Sequence, residues 1–446
     1  MCQEIFFTSP PYYDLGWRIY IISVVCAMSR IALRLEERFR RYSGIPSQSN
    51  AKNIGRCLPT SPGQQKLAEL LAGELSTAGL ANVECDEHAT VTALKKGNVR
   101  GTPTIGFICH LDTFDAGLSP EVHPQKILYT GGDVQLNTDV WLRVAEHPEI
   151  APYVGQEILF SDGTSVLGAD DKAAVSAVME MVTSLGDEDT HGDIYICFVP
   201  DEEIGLLGAK HLDVKRRFPV DFAYTLDCCE LGEVVYECFN AASVSLVFTG
   251  VTAHPMSAKG VMVNPVTMAM EYMSHFDPLE TPEHTELREG YCWFLSVEAN
   301  PTVAKVTAAI RDHDWTSYTA RKQKMEEVAT IIRDKYPRGT VEVTIEDVYE
   351  NISNALKDDR TAIDLLLEAL KEADVTPKII PMRGGTDGAA LSSKGLLTPN
   401  FFTGAHNFHS RFEFLPIPSF VKSYEVARNI VLLGAKHYKK KATPNL

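Results

Sequence analysis

The sequence lacks a hydrophobic run long enough to span a bilayer, a CxxC motif and an extended basic block. Its most apolar stretch, residues 17–28, is shorter than the roughly 20 residues that a membrane-spanning helix needs. The formal charge is −17 at pH 7, and no Lys/Arg-rich block stands out except the short cluster 439–441. Nucleic acid and anionic membranes are therefore not expected as main partners. No stable membrane association is expected either.

The ten cysteines form no pattern of a disulfide framework or a zinc ribbon. This usage favours a reducing compartment, and we expect a cytoplasmic protein. Cys228 and Cys229 are adjacent, and two interpretations of them stay open. They are either small packed side chains or oxidation-sensitive thiols that perturb metal choice.

The first residues also lack the features of a signal peptide. No basic segment precedes residues 17–28, and no clear small-x-small cleavage site follows them. We expect residues 1–27 to be a non-native or disordered extension, with Met28 as the natural start. A weak membrane anchor is the alternative. An amphipathic helix is predicted directly afterwards, over 30–42.

Short apolar runs alternate with helical patterns, which predicts an α/β fold with buried parallel strands. The predicted strands include 83–94, 104–109, 194–199, 222–226 and 397–402. Between 239 and 350 the predicted order changes to βαββαβ, the pattern of a small ferredoxin-like domain. We therefore expect a large domain with a central mixed sheet, formed by 28–238 and 351–446 and interrupted by an inserted lid domain at 239–350.

Acids and histidines follow several of these strands. They are His110 and Asp112, Asp170 and Asp171, Glu202 and Glu203, Asp227, and His406 and His409. Each group alone has a simpler explanation: two acids at a helix start interact well with the helix dipole, and a Glu-Glu pair is usually a solvated turn. Open α/β sheets bind ligands at the carboxyl ends of their strands. The coincidence of all five groups at such ends favours one shared site.

Carboxylates and imidazoles without cysteine are ligands suited to zinc, manganese or cobalt. Two such ions sharing a carboxylate can hold a substrate oxygen and activate water near neutral pH. A further carboxylate beside them can take the proton from that water and pass it to a leaving amine.

An ordered set of motifs makes this chemistry specific. The motifs are His110-Leu-Asp-Thr, Gly168-Ala-Asp-Asp-Lys-Ala, Pro200-Asp-Glu-Glu, Tyr224-Thr-Leu-Asp227, Ala253-His-Pro255, Arg383-Gly-Gly-Thr-Asp-Gly388 and Asn407-Phe-His409. From Met28 onward the chain resembles the M20 family of co-catalytic zinc metallopeptidases, and within it the tripeptide aminopeptidases. The resemblance implies a zinc-aminopeptidase-like catalytic domain around the central sheet. The cysteines after Asp227 stand where the family commonly has glycines.

The resemblance also implies a ligand set for two Zn²⁺ ions per subunit, with Co²⁺ or Mn²⁺ as substitutes. Asp170 would bridge the ions, with a cis peptide bond to Asp171. His110 and Asp227 would complete one site, and Glu203 and His409 the other. His409 is chosen over the nearby His406 from its position in the motif.

The same resemblance assigns the remaining roles. Glu202 would be the general base and acid, and Asp112 would orient His110. His254 would help stabilise the tetrahedral oxyanion, across the subunit boundary in related dimers, so a homodimer through the lid is expected. Arg383 would bind the C-terminal carboxylate of the substrate with help from Asn264. Holding the substrate at its C-terminus would make binding depend on peptide length.

The expected function is release of the N-terminal residue from tripeptides by a two-zinc aminopeptidase. A dipeptidase, a carboxypeptidase or an N-acyl amino acid deacylase of the same family is the alternative. A non-catalytic peptide-binding relative is an interpretation of another class. A protein tethered to a membrane through residues 17–28 is a third.

Overall fold

The structure is a computed structural model that describes residues 30–437. The prediction on residues 1–27 therefore lies outside the described residues. The helices are α1 (30–43), α2 (Pro62–Thr77), α3 (Ala169–Ser184), α4 (Leu207–His211), α5 (Val214–Arg217), α6 (Pro265–Ser274), α7 (Trp315–Lys335), α8 (Thr361–Glu372), α9 (Asp387–Ser393) and α10 (Ile417–His437).

The strands include, in the first part of the chain, β1 (Ala81–Cys85), β2 (Val91–Lys95), β3 (Ile105–His110), β4 (Gln125–Leu128), β5 (Val134–Gln135), β6 (Trp141–Leu142), β7 (Glu157–Phe160), β8 (Ile194–Val199), β9 (Phe222–Cys228) and β10 (Glu233–Val235). They continue with β11 (Asn240–Thr249), β12 (Tyr291–Ala299), β13 (Val303–Asp312), β14 (Thr340–Tyr349), β15 (Lys378–Ile379), β16 (Asn400–Phe402) and β17 (Phe414–Pro416).

The largest sheet has eight strands in the order β1-β2-β8-β3-β9-β16-β10-β15. Its centre is parallel, because β8, β3, β9 and β16 run the same way. Antiparallel pairs on both sides, β1 with β2 and β10 with β16, make the sheet mixed. The predicted α/β fold with a central mixed sheet is confirmed.

The central strands are apolar along their whole length because both faces of the sheet are covered. Every residue of β3 is buried. α3 packs on one face and is itself buried along nearly its entire length, as expected for a helix that is apolar all round. α9 contacts β3 and β9, in a smaller cluster with α4. The carboxyl ends of the central strands are therefore held between packed layers.

The inserted segment runs β11-α6-β12-β13-α7-β14, which is the predicted βαββαβ order. Its antiparallel sheet has the order β12-β13-β11-β14. Its buried residues form a separate cluster in which Phe248, Tyr272 and Ile310 pack between the sheet and α6 and α7. The boundaries at 239 and 350 stay predictions, with β11 beginning at Asn240 and β14 ending at Tyr349.

One local prediction is wrong. The expected strand over 83–94 is two antiparallel strands, β1 and β2. The chain turns between them because the carboxylate of Asp86 accepts hydrogen bonds from the N–H groups of His88 and Thr90. Such a side chain stabilises a turn by replacing main-chain partners. Within residues 30–437, no helix has both the length and the apolar character needed to cross a membrane.

Candidate metal centre

The acids and histidines identified in the sequence meet at the carboxyl edge of the central sheet. β3 ends at His110, β8 is followed by Glu202 and Glu203, and Asp227 lies near the end of β9. Asp170 lies in the first turn of α3, and His409 is in the loop that follows β16. Parallel strands bring these chain positions together although they are far apart in sequence.

Asp170 lies between two imidazoles and contacts each with a different oxygen. Its Oδ1 is 2.9 Å from Nε2 of His110, and its Oδ2 is 3.0 Å from Nε2 of His409. Nε2 of His409 is also 2.9 Å from Oε1 of Glu203. One carboxylate therefore contacts both imidazoles, an arrangement that suits a ligand shared by two metal ions.

Three sets of side chains place their ligand atoms within 4.8 Å of one another. The sets are Asp170 with Glu203 and His409, His110 with Asp170 and Asp171, and His110 with Glu202 and Asp227. Oxygen and imidazole donors at this spacing fit divalent zinc, cobalt or manganese. The residues present therefore fit a pair of metal ions that share Asp170.

His110 is fixed by contacts on both sides of its ring and by its own backbone. Its main-chain N–H donates to Oδ2 of Asp171 (3.1 Å), and its Nδ1 lies 3.1 Å from the main-chain oxygen of Asp112. A proton on Nδ1 leaves Nε2 for a metal. The carboxylate of Asp112 also accepts the N–H groups of Glu202 (2.9 Å) and Glu203 (3.2 Å). Asp112 therefore orients two parts of the site at once.

The start of α3 departs from helical geometry at the acids. The peptide bond between Asp170 and Asp171 is cis, as the resemblance implied. Gly168 has a positive φ of 70°, and Asp170 has an extended ψ of 99°. The acids therefore do not simply cap the helix. Asp170 faces the site, and Asp171 holds the backbone of His110.

Burial alone would raise the pKa of Asp170, but its hydrogen bonds with His110 and His409 lower it. The pKa values of the three acids around it are shifted upward. Burial, followed by the charge of Asp170, raises the pKa of Glu203 to about 7. Burial and the charge of Asp227 raise the pKa of Glu202 well above its ordinary value. Burial and the charge of Asp170 do the same for Asp227.

The pKa values of the two histidines are raised as well. Burial alone lowers the pKa of His409, but its hydrogen bonds with Asp170 and Glu203 raise it to about 10. Burial also lowers the pKa of His110, and hydrogen bonds with Asp112 and Asp170 raise it well above its ordinary value. Raised pKa values favour protons on these groups in the absence of a cation, and a bound cation would displace them.

Comparisons with known proteins find relatives along most of the chain. Residues 167–433 match the model of peptidase family M20/M25/M40. A peptidase T-like protein of Yersinia pestis is 58% identical over 405 residues, which is 90% of this chain and 98% of the relative. Peptidase T of Shouchella clausii is 40% identical over 406 residues, again 90% and 98% of the two chains.

The chain belongs to peptidase family M20/M25/M40.

The fold agrees with this family. The crystal structure of aminopeptidase PepT from Bacillus cereus superposes with a TM-score of 0.72 at 20% identity, covering 91% of this chain and 99% of that chain. By family the protein is a peptide hydrolase. The predicted family is confirmed.

His406 and His409, both in the loop after β16, make different contacts. His409 reaches Asp170 and Glu203, whereas Nε2 of His406 is 2.7 Å from the hydroxyl of Tyr153. His406 also stacks on Phe414, and burial lowers its pKa to about 4. His409 is therefore the imidazole that contacts the acids of the site, whereas His406 packs against Tyr153 and Phe414.

The cleft beside the metal centre has a cavity of about 340 Å³. Its wall includes Glu202, Glu203, Asp227 and Cys229 and, from the second part of the large domain, Ile380, Met382, Gly384, Gly385 and Thr386. Cys228 is buried and Cys229 is half-buried, and burial raises the pKa values of both thiols. Raised pKa values favour the interpretation of Cys228 and Cys229 as packed thiols.

The three predicted substrate-binding residues lie elsewhere than in this cavity wall. His254 is exposed in the inserted segment, where its Nδ1 accepts the N–H of Met256. Asn264 caps α6 by accepting the N–H of Val266. The structure brings neither side chain to the metal-ligating groups.

Arg383 is fully engaged with the inserted domain. Its guanidinium donates to the main-chain oxygens of Leu287 and Glu289 and to the hydroxyl of Thr285. It also lies over the rings of Phe239 and Tyr291, at 5.0 and 5.4 Å from their centroids. In this arrangement Arg383 holds the segment 380–386, the cleft loop, against the lid, a role that the sequence did not indicate.

Sequence reasoning missed three residues beside the centre. Glu413 is buried and accepts main-chain N–H groups next to Asp170. Phe114 stacks on His409 with ring centroids 4.0 Å apart. Asp387 is buried and neither of its oxygens has a hydrogen-bond partner among residues 30–437. The detectable signal for Glu413 was an acid between two phenylalanines, four residues after His409.

Proposed function

We propose that this protein is a two-metal aminopeptidase that releases the N-terminal residue from tripeptides. The observation that carries the proposal is the carboxylate of Asp170 between His110 and His409, beside an open cavity. The similarity to peptidase T and to aminopeptidase PepT supports the substrate class. His110 and Asp227 would hold one ion, Glu203 and His409 the other, and Asp170 both.

Bound divalent ions, zinc first and cobalt or manganese as substitutes, would supply Lewis-acid polarisation of the substrate carbonyl and of water. The side chains of the chain supply the rest. Asp171 and Asp112 hold His110 in place, and Asp112 also holds the turn that carries Glu202 and Glu203.

Glu202 is the proposed general base and acid. Its side chain lines the cavity and its carboxylate lies close to His110 and Asp227. A raised pKa suits a carboxylate that first accepts a proton from water and then donates it to the leaving amine. The main-chain N–H of Glu202 is fixed by Asp112, which keeps the carboxylate directed at the cleft.

The substrate-binding roles of His254, Arg383 and Asn264 are part of the proposal. A peptide carboxylate would compete with Leu287, Glu289 and Thr285 for the guanidinium of Arg383. A bidentate carboxylate contact is stronger than contacts to neutral oxygens. Substrate binding at Arg383 would therefore loosen the contact between the cleft loop and the lid.

A homodimer through the lid is proposed as well. β12 lies at the edge of the lid sheet and exposes Trp293, Leu295 and Val297. An unpaired edge with apolar side chains is suited to pairing with a second copy. The exposed position of His254 leaves it free to reach the cleft of a partner subunit. Light scattering coupled to size exclusion measures the mass of the particle.

A cytoplasmic location completes the proposal. The cysteines among residues 30–437 are unpaired, which fits a reducing compartment. Fractionation of cells that express the native protein tests this location.

A panel of di-, tri- and tetrapeptides with free and blocked N-termini tests the function. We expect metal-loaded protein to release the first residue of free tripeptides fastest. The Glu202→Ala variant, with metal content verified, should lose about 10²–10⁴-fold in rate. Preferred cleavage of an N-acyl amino acid would contradict the aminopeptidase, and full activity of Glu202→Ala would contradict the mechanism.

A further inference from the structure

Glu413 makes contacts that are unusual for a buried carboxylate. Its side chain is 1% exposed, and its two oxygens accept hydrogen bonds from the same short main-chain segment. Oε2 accepts the N–H of Gly168 (2.8 Å), and Oε1 accepts the N–H of Asp170 (3.1 Å). Glu413 therefore holds the backbone of the residue whose side chain lies between the two imidazoles.

Glu413 also belongs to the loop that carries His409. This loop is closed at its base, where His406 and Phe414 exchange two main-chain hydrogen bonds of 2.9 and 3.1 Å. Phe414 begins β17, which pairs with β7. Glu413 thus lies at the fixed end of the loop, and His409 lies at its far side.

These contacts join two segments that meet at one proposed metal. The first segment, 167–170, ends at Asp170 and passes through Gly168, which has a positive φ. The second, 406–414, presents His409. Their side chains meet where Oδ2 of Asp170 lies 3.0 Å from Nε2 of His409. A displacement of either segment would change this separation.

A carboxylate suits this position better than other acceptors. It accepts with both oxygens, whereas an amide side chain offers one oxygen and turns an NH₂ group toward the second N–H. A second acid beside Asp170 is unfavourable for folding alone because like charges repel, and cations at the centre offset that cost.

We propose that Glu413 is a positioning residue for the metal centre: its carboxylate sets the distance between Asp170 and His409. The inference rests on the proposed two-metal function. It assigns Glu413 a larger effect on the ion held by Asp170, Glu203 and His409 than on the ion held by His110 and Asp227.

Titration of metal-free protein with Co²⁺ tests this role by calorimetry and by visible absorption. We expect Glu413→Gln to weaken one of the two binding steps by roughly 10–100-fold, as loss of an outer hydrogen bond to a ligand does elsewhere. Its cobalt spectrum should shift toward that of His409→Ala. The other step should stay within about threefold of the wild type.

Asp86→Asn is the matched control. Asp86 also accepts two main-chain N–H groups, from His88 and Thr90, but in the turn between β1 and β2, where it pairs with Arg217 as well. We expect this variant to be less stable and to keep the wild-type cobalt isotherm and spectrum. A residue that only stabilises its loop would behave like Asp86.

A folded Glu413→Gln with the wild-type isotherm and spectrum would overturn the proposal. If that variant does not fold, Glu413→Asp is measured instead, since it keeps the charge but is one methylene too short for both contacts. We expect it to show the same loss in one step, and wild-type binding by it would equally overturn the proposal. Wild-type protein that binds two Co²⁺ ions but cleaves no peptide would refute the proposed function without affecting Glu413.

Discussion

The two histidines of the metal centre are held in different ways. The side chain of His110 is 1% exposed and that of His409 is 42% exposed. His110 ends a central strand, and both its backbone and its ring are hydrogen-bonded within the core. His409 lies on a loop with a positive φ and stacks on Phe114. The central sheet positions the inner half of the centre, His110 and Asp227. Loop contacts position the outer half, Glu203 and His409.

Because of this difference, we expect substitutions in one half to affect mainly stability and substitutions in the other half to affect mainly metal binding. The inner half is part of the folded core, so it is formed whenever the sheet is formed. The outer half depends on a few contacts made by Phe114, Glu203 and Glu413, so it can be weakened without unfolding the protein. Substitutions on the two sides should therefore have distinct signatures.

Removal of each histidine gives the largest contrast. His110→Ala leaves buried carboxylates without a partner and should lower the free energy of unfolding by about 3–5 kcal/mol. His409→Ala removes a partly exposed group and leaves Asp170 in contact with His110, so it should cost clearly less than His110→Ala. Urea unfolding of the metal-free proteins measures both. Equal losses would contradict the distinction between core and loop.

The pH dependence of metal binding sharpens the comparison further. The outer pair holds protons near neutrality, because the pKa of Glu203 is raised to about 7 and that of His409 to about 10. Metal binding must release these protons, so affinity should rise with pH through this range, about tenfold per pH unit for each proton released.

Calorimetry in buffers of different ionisation enthalpy counts the released protons. His409→Ala should release about one proton fewer than the wild type at pH 7. Binding that releases no proton in the wild type would show that these groups are not the ligands.

The stacked ring of Phe114 gives a smaller effect on the outer half alone. Phe114→Leu loses an aromatic contact worth about 0.5–1.5 kcal/mol, which is at most about tenfold in the affinity of one metal step. Phe412→Leu is the matched control, because Phe412 packs on His147 and not on His409. Equal losses in both variants would indicate a general effect on the loop.

The smallest expected effect is at Cys229. Burial raises the pKa of its thiol, so it should not serve as a thiolate ligand or react readily with oxidants. Cys229→Ala should keep the cobalt spectrum of the wild type and a similar rate of inactivation by peroxide. Protection of the enzyme by this substitution would support the alternative interpretation as an oxidation-sensitive thiol.

Much of the inner half could be predicted from sequence because its ligands follow from local patterns. Apolar runs that end in His110 or precede Glu202 indicate buried strands, and parallel strands bring their ends together. The βαββαβ order of the inserted segment was equally visible, since each element has its own periodicity. The turn at Asp86 was missed because one side chain, and not the apolar pattern, reverses the chain there.

The outer half could be predicted less well because its contacts are tertiary. The choice of His409 over His406 depended on a family motif, and only the folded chain shows Tyr153 beside His406. The tie between Glu413 and Gly168 joins residues 245 positions apart. Arg383 contacts a lid loop that the sequence does not place beside it. No local sequence pattern predicts these tertiary contacts.

Native mass spectrometry of the zinc-loaded protein tests the central claim most directly, because it counts the ions held by each variant. The account predicts two zinc ions in the wild type and in His406→Ala, and a loss of one ion in His409→Ala. A single ion in the wild type, or loss of zinc in His406→Ala but not in His409→Ala, would contradict a metal pair that shares Asp170.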